Sequence, residues 1–213
     1  MFLDPALSFL LAYTPIVAVT IFSVIVLIII NLFYRILMNQ SEAKQIKEKS
    51  KELNKQMRAL QKEGKRDEAN KLLSEVMREN SKIMRMTMKP MLVSFIIVIV
   101  LLPWLSEAYG DRTVAMENNI GKFNFRGVEY DVSRSGNIIT VNGQTACTSC
   151  VQKIGDSFFE ITEDQGKIRF APVIAMLPVS LPVVGNNLGW LGWYILVSIP
   201  VVIFTRKLMR IYA

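Results

Sequence analysis

The chain has 213 residues, 51% of them hydrophobic, and a formal net charge of +7 with no histidine. The commonest general base and the commonest metal ligand are therefore both missing, and no catalytic residue, cofactor or metal is expected. Two cysteines, both in "CTSC", exclude a disulfide-dense scaffold.

Three stretches carry no charge: Pro5 to Tyr34, Pro90 to Ser106 and Phe170 to Thr205. A bilayer-spanning helix needs roughly 20 mostly apolar residues, and each stretch supplies one. Residues 1–14 form an N-terminal segment whose only charge is Asp4, where a cleavable signal peptide would carry a basic region. The first predicted transmembrane helix covers 15–38. Along it Thr20, Ser23, Leu27, Asn31 and Arg35 recur every three or four residues, so they share one face opposite Ile and Val. An amide in lipid needs a partner or water, and Arg35 can snorkel to the interface.

Residues 39–87 are rich in Lys, Glu, Arg and Gln, all good helix formers. Ile46, Leu53, Met57 and Leu60 mark a thin seam before Gly64; Ala69, Leu72, Val76 and Ile83 mirror it afterwards. That reflection predicts an antiparallel coiled-coil hairpin, with Gly64 as its left-handed turn residue and Asp67 capping the returning helix. A stray glycine in a longer helix, or a charged linker, is the plainer alternative. Seven of the 11 methionines lie between Met38 and Met91. Met84, Met88 and Met91, where the second span begins, offer polarizable side chains to varied apolar partners; methionine is also simply a good helix former.

The second predicted span covers 88–105 and includes Ser94. Residues 106–172 read as a small β-rich module, with turns at "SGN", "NGQ" and "DQG". Cys147 and Cys150 within it fit a local disulfide on an oxidising face. No helix N-terminus or base is in view to lower a thiol pKa, so redox catalysis is not expected. Residues 173–187, apolar but broken by Pro178 and Pro182, are expected to lie along the membrane interface. The third span covers 188–205 and contains Ser198 and Thr205, with Pro200 freeing the carbonyl of Leu196. Residues 206–213 form the tail.

Charge then sets orientation. Residues 35–89 hold 15 Lys/Arg against 8 Asp/Glu, a net +7; the tail adds +3; residues 105–172 hold 7 against 9, a net −2. Basic segments stay in the cytoplasm. The hairpin and C-terminus are therefore predicted inside, with the N-terminus and β-rich module outside a plasma (cytoplasmic) membrane. Trp104, Trp190 and Trp193 would form the outer aromatic belt. The polar positions Thr20, Ser23, Asn31, Arg35, Ser94, Ser198 and Thr205 gather toward the cytosol. They fit either a hydrated groove open to the cytoplasm or ordinary polar packing between membrane helices.

This arrangement resembles the YidC-type insertase superfamily and is similar, more narrowly, to the archaeal YidC-like membrane proteins. The likeness is carried by "IFSVIVLIIINLFYRILMNQ", the hairpin to Met84, "MKPMLVSFIIVIVLLPW" and "LGWLGWYILVSIPVVIFTRKL". It implies a non-enzymatic insertase or chaperone in protein transport. Such a protein receives hydrophobic segments of nascent proteins in the groove and releases them into the lipid bilayer, with no nucleotide hydrolysis. Met84, Met88 and Met91 would contact the client, and the basic hairpin could meet the ribosome; no specific DNA partner is expected. Bacterial relatives have five core spans and a positive charge within the groove. Here the first span has no interior charge, and Asn31 and Arg35 are the nearest counterparts. The competing reading is a non-catalytic, membrane-anchored assembly or receptor subunit.

Overall fold

The computed structural model describes residues 4–136, 138–164, 166–181 and 185–212. The chain divides into two compact units. One comprises Met1–Val24 and Val100–Ile199, the other Ile25–Ile99 and Pro200–Ala213. Among the described residues, three helices are long and apolar enough to cross a membrane: α2 (Pro15–Leu37), α4 (Arg66–Tyr109) and α5 (Trp190–Leu208). A short α1 (Asp4–Leu7) and a 3-10 turn (Ser8–Ala12) precede α2. Proline at the first position of α2 costs no hydrogen bond, because that N–H would have no partner anyway.

In the second unit, Asn39 starts α3 (Gln40–Lys62) by accepting the Glu42 N–H at 3.3 Å. The helix closes on a Schellman turn: Lys65 N–H reaches the Leu60 carbonyl at 3.0 Å and Gly64 N–H the Gln61 carbonyl at 3.3 Å. Gly64 has φ +77°, a conformation that a Cβ would strain. Asp67 does not cap the returning helix. It already lies inside the first turn of α4, where its charge still favours the exposed N–H groups.

Side chains on either side of this turn meet. Lys49 Nζ lies 3.0 Å from Glu79 and 3.3 Å from Glu75, and Ser50 Oγ donates to Asn80 Oδ1 at 3.1 Å. Ala43, Ile46, Ser50 and Leu53 are buried on α3; Ala69, Val76 and Glu79 are buried on α4. The boundary expected between residues 87 and 88 is not a break. α4 runs 44 residues without interruption, through Pro90 and Pro103. A proline removes only one backbone bond, and its neighbours carry the helix past it.

In the first unit the β-rich region follows α4. Its strands are β1 (Arg112–Ala115), β2 (Ile120–Phe125), β3 (Val128–Ser135), β4 (Ile138–Val141), β5 (Gln144–Ala146), β6 (Cys150–Ile154), β7 (Ser157–Asp164), β8 (Lys167–Val173), β9 (Ala175–Leu181) and β10 (Gly185–Leu188). They pair antiparallel into a sheet of order β1-β8-β7-β6, a second of order β2-β3-β4-β5, and the pair β10-β9. Asn142 and Gly143, both at positive φ, make the two-residue turn between β4 and β5. Alternation sends Phe123, Phe125, Tyr130, Val132 and Ile139 inward to meet Phe159, Ile161, Ile168 and Phe170. Phe123 stacks on Phe170 at 4.5 Å between ring centres, and Phe125 meets Phe159 edge-on at 5.1 Å. Each such ring contributes roughly 1.5–3 kcal/mol by burial, so this cluster is the module's core.

Residues 173–187 form no spanning helix among those described: Ala175–Leu181 and Gly185–Leu188 are strands, with Ala175 opposite Leu188 and Met176 opposite Asn187. Pro178 is tolerated because, among the described residues, β9 has a neighbour on one side only. The third helix consequently begins at Trp190, not 188, and reaches Leu208. Cys147 and Cys150 are joined as a disulfide, with Cα atoms 6.0 Å apart.

Candidate functional site

The seven polar positions singled out in the apolar helices fall in both units. In the first unit, Thr20 Oγ1 donates to the Ile16 carbonyl at 2.7 Å and accepts the Trp193 indole N–H at 2.8 Å. Ser23, fully buried, donates to the Val19 carbonyl at 2.7 Å. Ser198 donates to the Tyr194 carbonyl at 2.6 Å. Ser23 and Ser198 thus satisfy themselves within their own helices, while Thr20 ties α2 to α5.

In the second unit, Asn31 is 2% exposed. Its Nδ2 donates to the Leu27 carbonyl at 2.8 Å and to Thr205 Oγ1 at 3.0 Å. Thr205 passes its own proton to the Val201 carbonyl at 2.7 Å. The result is a short relay from one helix to the next, with both amide protons used. Just beyond it, Arg35 Nη1 donates to the Met209 carbonyl at 3.4 Å, placing a cation at the negative end of α5. Arg206 lies 5.6 Å from the centre of the Tyr34 ring. Ser94 stands apart: its hydroxyl bonds the Met91 carbonyl of its own helix at 2.7 Å.

Met84, Met88 and Met91 are uncovered, Met84 being 71% exposed. They open an apolar face that continues along α4 through Phe95 and Ile99, both exposed. Met84 and Met88 lie before the charge-free run, among Lys82, Arg85 and Lys89. Leaving such side chains in water is unfavourable by roughly the burial value of each.

Two features escaped the sequence reading. Gln40 is a clasp: its Nε2 donates to the Tyr34 carbonyl at 3.0 Å and the Met38 carbonyl at 3.3 Å, while its Oε1 accepts the Tyr212 N–H at 3.0 Å. It ties the end of α2, the start of α3 and the tail together, and no sequence signal marks it. The other is a groove of about 1300 Å³ on α3, whose wall includes Lys47, Lys51, Lys55, Arg58 and Lys62. Their spacing of four, four, three and four residues puts them on one helix face, a periodicity that was there to be read. Elsewhere on the helical pair, the hydrogen bond to Glu79 raises the Lys49 pKa, with Glu75 adding to it. The same bond, with a second from Lys82, lowers the pKa of Glu79 against the opposing cost of its desolvation.

Long apolar helices joined to a separate β-rich region define an integral membrane protein. The family model for integral membrane proteins of the EMC3/TMCO1-like type matches residues 1–117, and the chain belongs to that family. The family lies within the Oxa1/YidC/Alb3-related insertase superfamily and is linked to membrane protein insertion or biogenesis. No curated protein and no solved structure matches the chain.

Proposed function

We propose that the protein is a membrane insertase or chaperone, working in the manner of the archaeal YidC-like proteins, with three spans and a cytoplasmic coiled-coil hairpin. It takes hydrophobic segments of nascent proteins from the cytoplasm and releases them into the bilayer without enzymatic chemistry. The observation that carries this reading is the uncovered methionine face of α4. Met84 and Met88 stay exposed among basic residues, just outside the charge-free run. An incoming apolar segment would cover them and gain roughly 25 cal/mol per Å² of surface removed from water. Asn31, Arg35 and Thr205, all in the second unit, are the proposed hydrophilic path past which a polar flank is drawn. The +7 of residues 35–89 and the +3 of the tail support a cytoplasmic position for both in the proposed plasma membrane, with the N-terminus outside. The basic face of α3 then points to a second partner, the phosphate backbone of the ribosome.

Photocrosslinkers at positions 31, 84 and 88, introduced during translation of a short-tailed membrane protein, test this reading. Adducts to the nascent segment at all three are expected. Their absence, together with unimpaired insertion after depletion, overturns it. The alternative, an anchored assembly subunit, is favoured by one observation: Asn31–Thr205 and Thr20–Trp193 are satisfied helix-to-helix contacts, as packing requires. Alkylation of a cysteine at position 31 separates the two, since only a hydrated groove admits the reagent.

A further inference from the structure

In the first unit a cavity of about 470 Å³ opens where α4 gives way to the β-rich region. Its walls include Leu11, Trp104, Glu107, Arg112, Asn124 and Arg126. The charge-free run of α4 ends at Ser106, one residue before Glu107, so the cavity stands at the level where apolar sequence meets charge. Tryptophan favours that level in membrane proteins.

The charges in this cavity are of both signs and are not spent on one another. Arg112 gives its Nε to the Asn124 carbonyl at 2.8 Å and its Nη2 to the Glu107 carbonyl. Arg126 gives Nη2 to the carbonyls of Leu11 and Tyr13 and lies 5.7 Å from the centre of the Tyr109 ring, and its buried Nε has no hydrogen-bond partner among the described residues. Among the described residues no carboxylate neutralises either guanidinium, and the Glu107 carboxylate makes no ion pair. Carbonyl dipoles hold the arginines in place and leave their net charge to act on whatever enters.

We propose that this cavity binds the zwitterionic headgroup of an aminophospholipid, with its ammonium on Glu107 and its phosphate facing Arg112 and Arg126. Leu11 and Trp104 meet the glycerol and the first acyl carbons. The volume falls within the range of small-ligand sites, which are mostly apolar with a few placed polar groups. Asn124 and Arg126 lie beyond the 117 residues shared with the family. The site is thus a property of the β-rich region joined to the helices, and it is independent of the insertase reading.

The full chain is placed in nanodiscs of equimolar phosphatidylethanolamine, phosphatidylcholine and phosphatidylglycerol, and the retained lipid is read by native mass spectrometry. Phosphatidylethanolamine is expected to be retained about tenfold over the other two, as one charge-assisted hydrogen bond would give. Glu107→Gln should abolish that preference, and Glu107→Lys should turn it toward phosphatidylglycerol. Glu107 is exposed and its carboxylate has no partner among the described residues, so both variants keep the fold, which circular dichroism checks. Equal retention of the three lipids by the unmodified protein overturns the proposal, as does a preference that survives both substitutions. If soluble phosphoethanolamine displaces the lipid at equal concentration, the apolar wall contributes nothing and the assignment to a lipid fails.

Discussion

Asn31→Leu is the substitution that divides packing from transport. Its carboxamide donates one bond within α2 and one across to Thr205. An interhelical hydrogen bond in lipid contributes about 0.6 kcal/mol on average. Leucine keeps the same branched skeleton of four heavy atoms, and the change orphans nothing: the Leu27 carbonyl keeps its helical partner, and Thr205 keeps the Val201 carbonyl. Replacing a polar group whose partners remain satisfied is close to neutral, so stability should change by less than about 1 kcal/mol. Insertion of a client with a polar flank should fall about tenfold, the effect of losing one water-mediated contact of about 1.4 kcal/mol. The two quantities are read by thermal melting in nanodiscs and by protease protection of a client in proteoliposomes. Unchanged insertion with unchanged stability removes Asn31 from any path. A loss of more than about 2 kcal/mol would make it a packing residue, and the hydration argument would fall.

Three further outcomes follow from the geometry. Gly64→Ala places a Cβ at φ +77° and should destabilise the turn by about 1 kcal/mol, read as faster amide exchange in residues 58–70. Glu79 has its folded pKa lowered by the bonds from Lys49 and Lys82. Its contribution is therefore present above the unfolded carboxylate value of about 4.3 and lost as pH falls through the lower folded value; exchange protection of the helical pair should be flat from about pH 8 to 5 and collapse below about 4. Phe159→Ala empties a fully buried site ringed by Phe123, Phe125, Tyr130 and Phe170 and should cost about 3–5 kcal/mol, visible as loss of near-ultraviolet circular dichroism.

Local signals carried much of the fold. Apolar runs gave the long helices, because burial in lipid is decided residue by residue along a helix. Gly64 was readable since only a left-handed residue makes that turn cheaply, and "NGQ" for the same reason. What escaped depends on contacts distant in sequence. The return of β1 to β8 joins Arg112 to Phe170, and the strand character of Ala175–Leu181 depends on its pairing with β10. The prolines there argued against a spanning helix without revealing a strand, because an edge position cannot be told from sequence. Of the polar positions, Thr20, Asn31 and Thr205 find partners on a neighbouring helix; Ser23, Ser94 and Ser198 turn to their own carbonyls. The pattern marks such residues alike, since serine's ability to bond its own backbone is invisible in spacing.

Gln40 holds Tyr212 as well as the end of α2, and Ile211 is buried beside it. The last few residues therefore act as a strap on the shoulder of the charged arm. Wherever that arm is aimed, the carboxyl-terminal segment helps to aim it, so a tag fused there would disturb the arm before it disturbed any span.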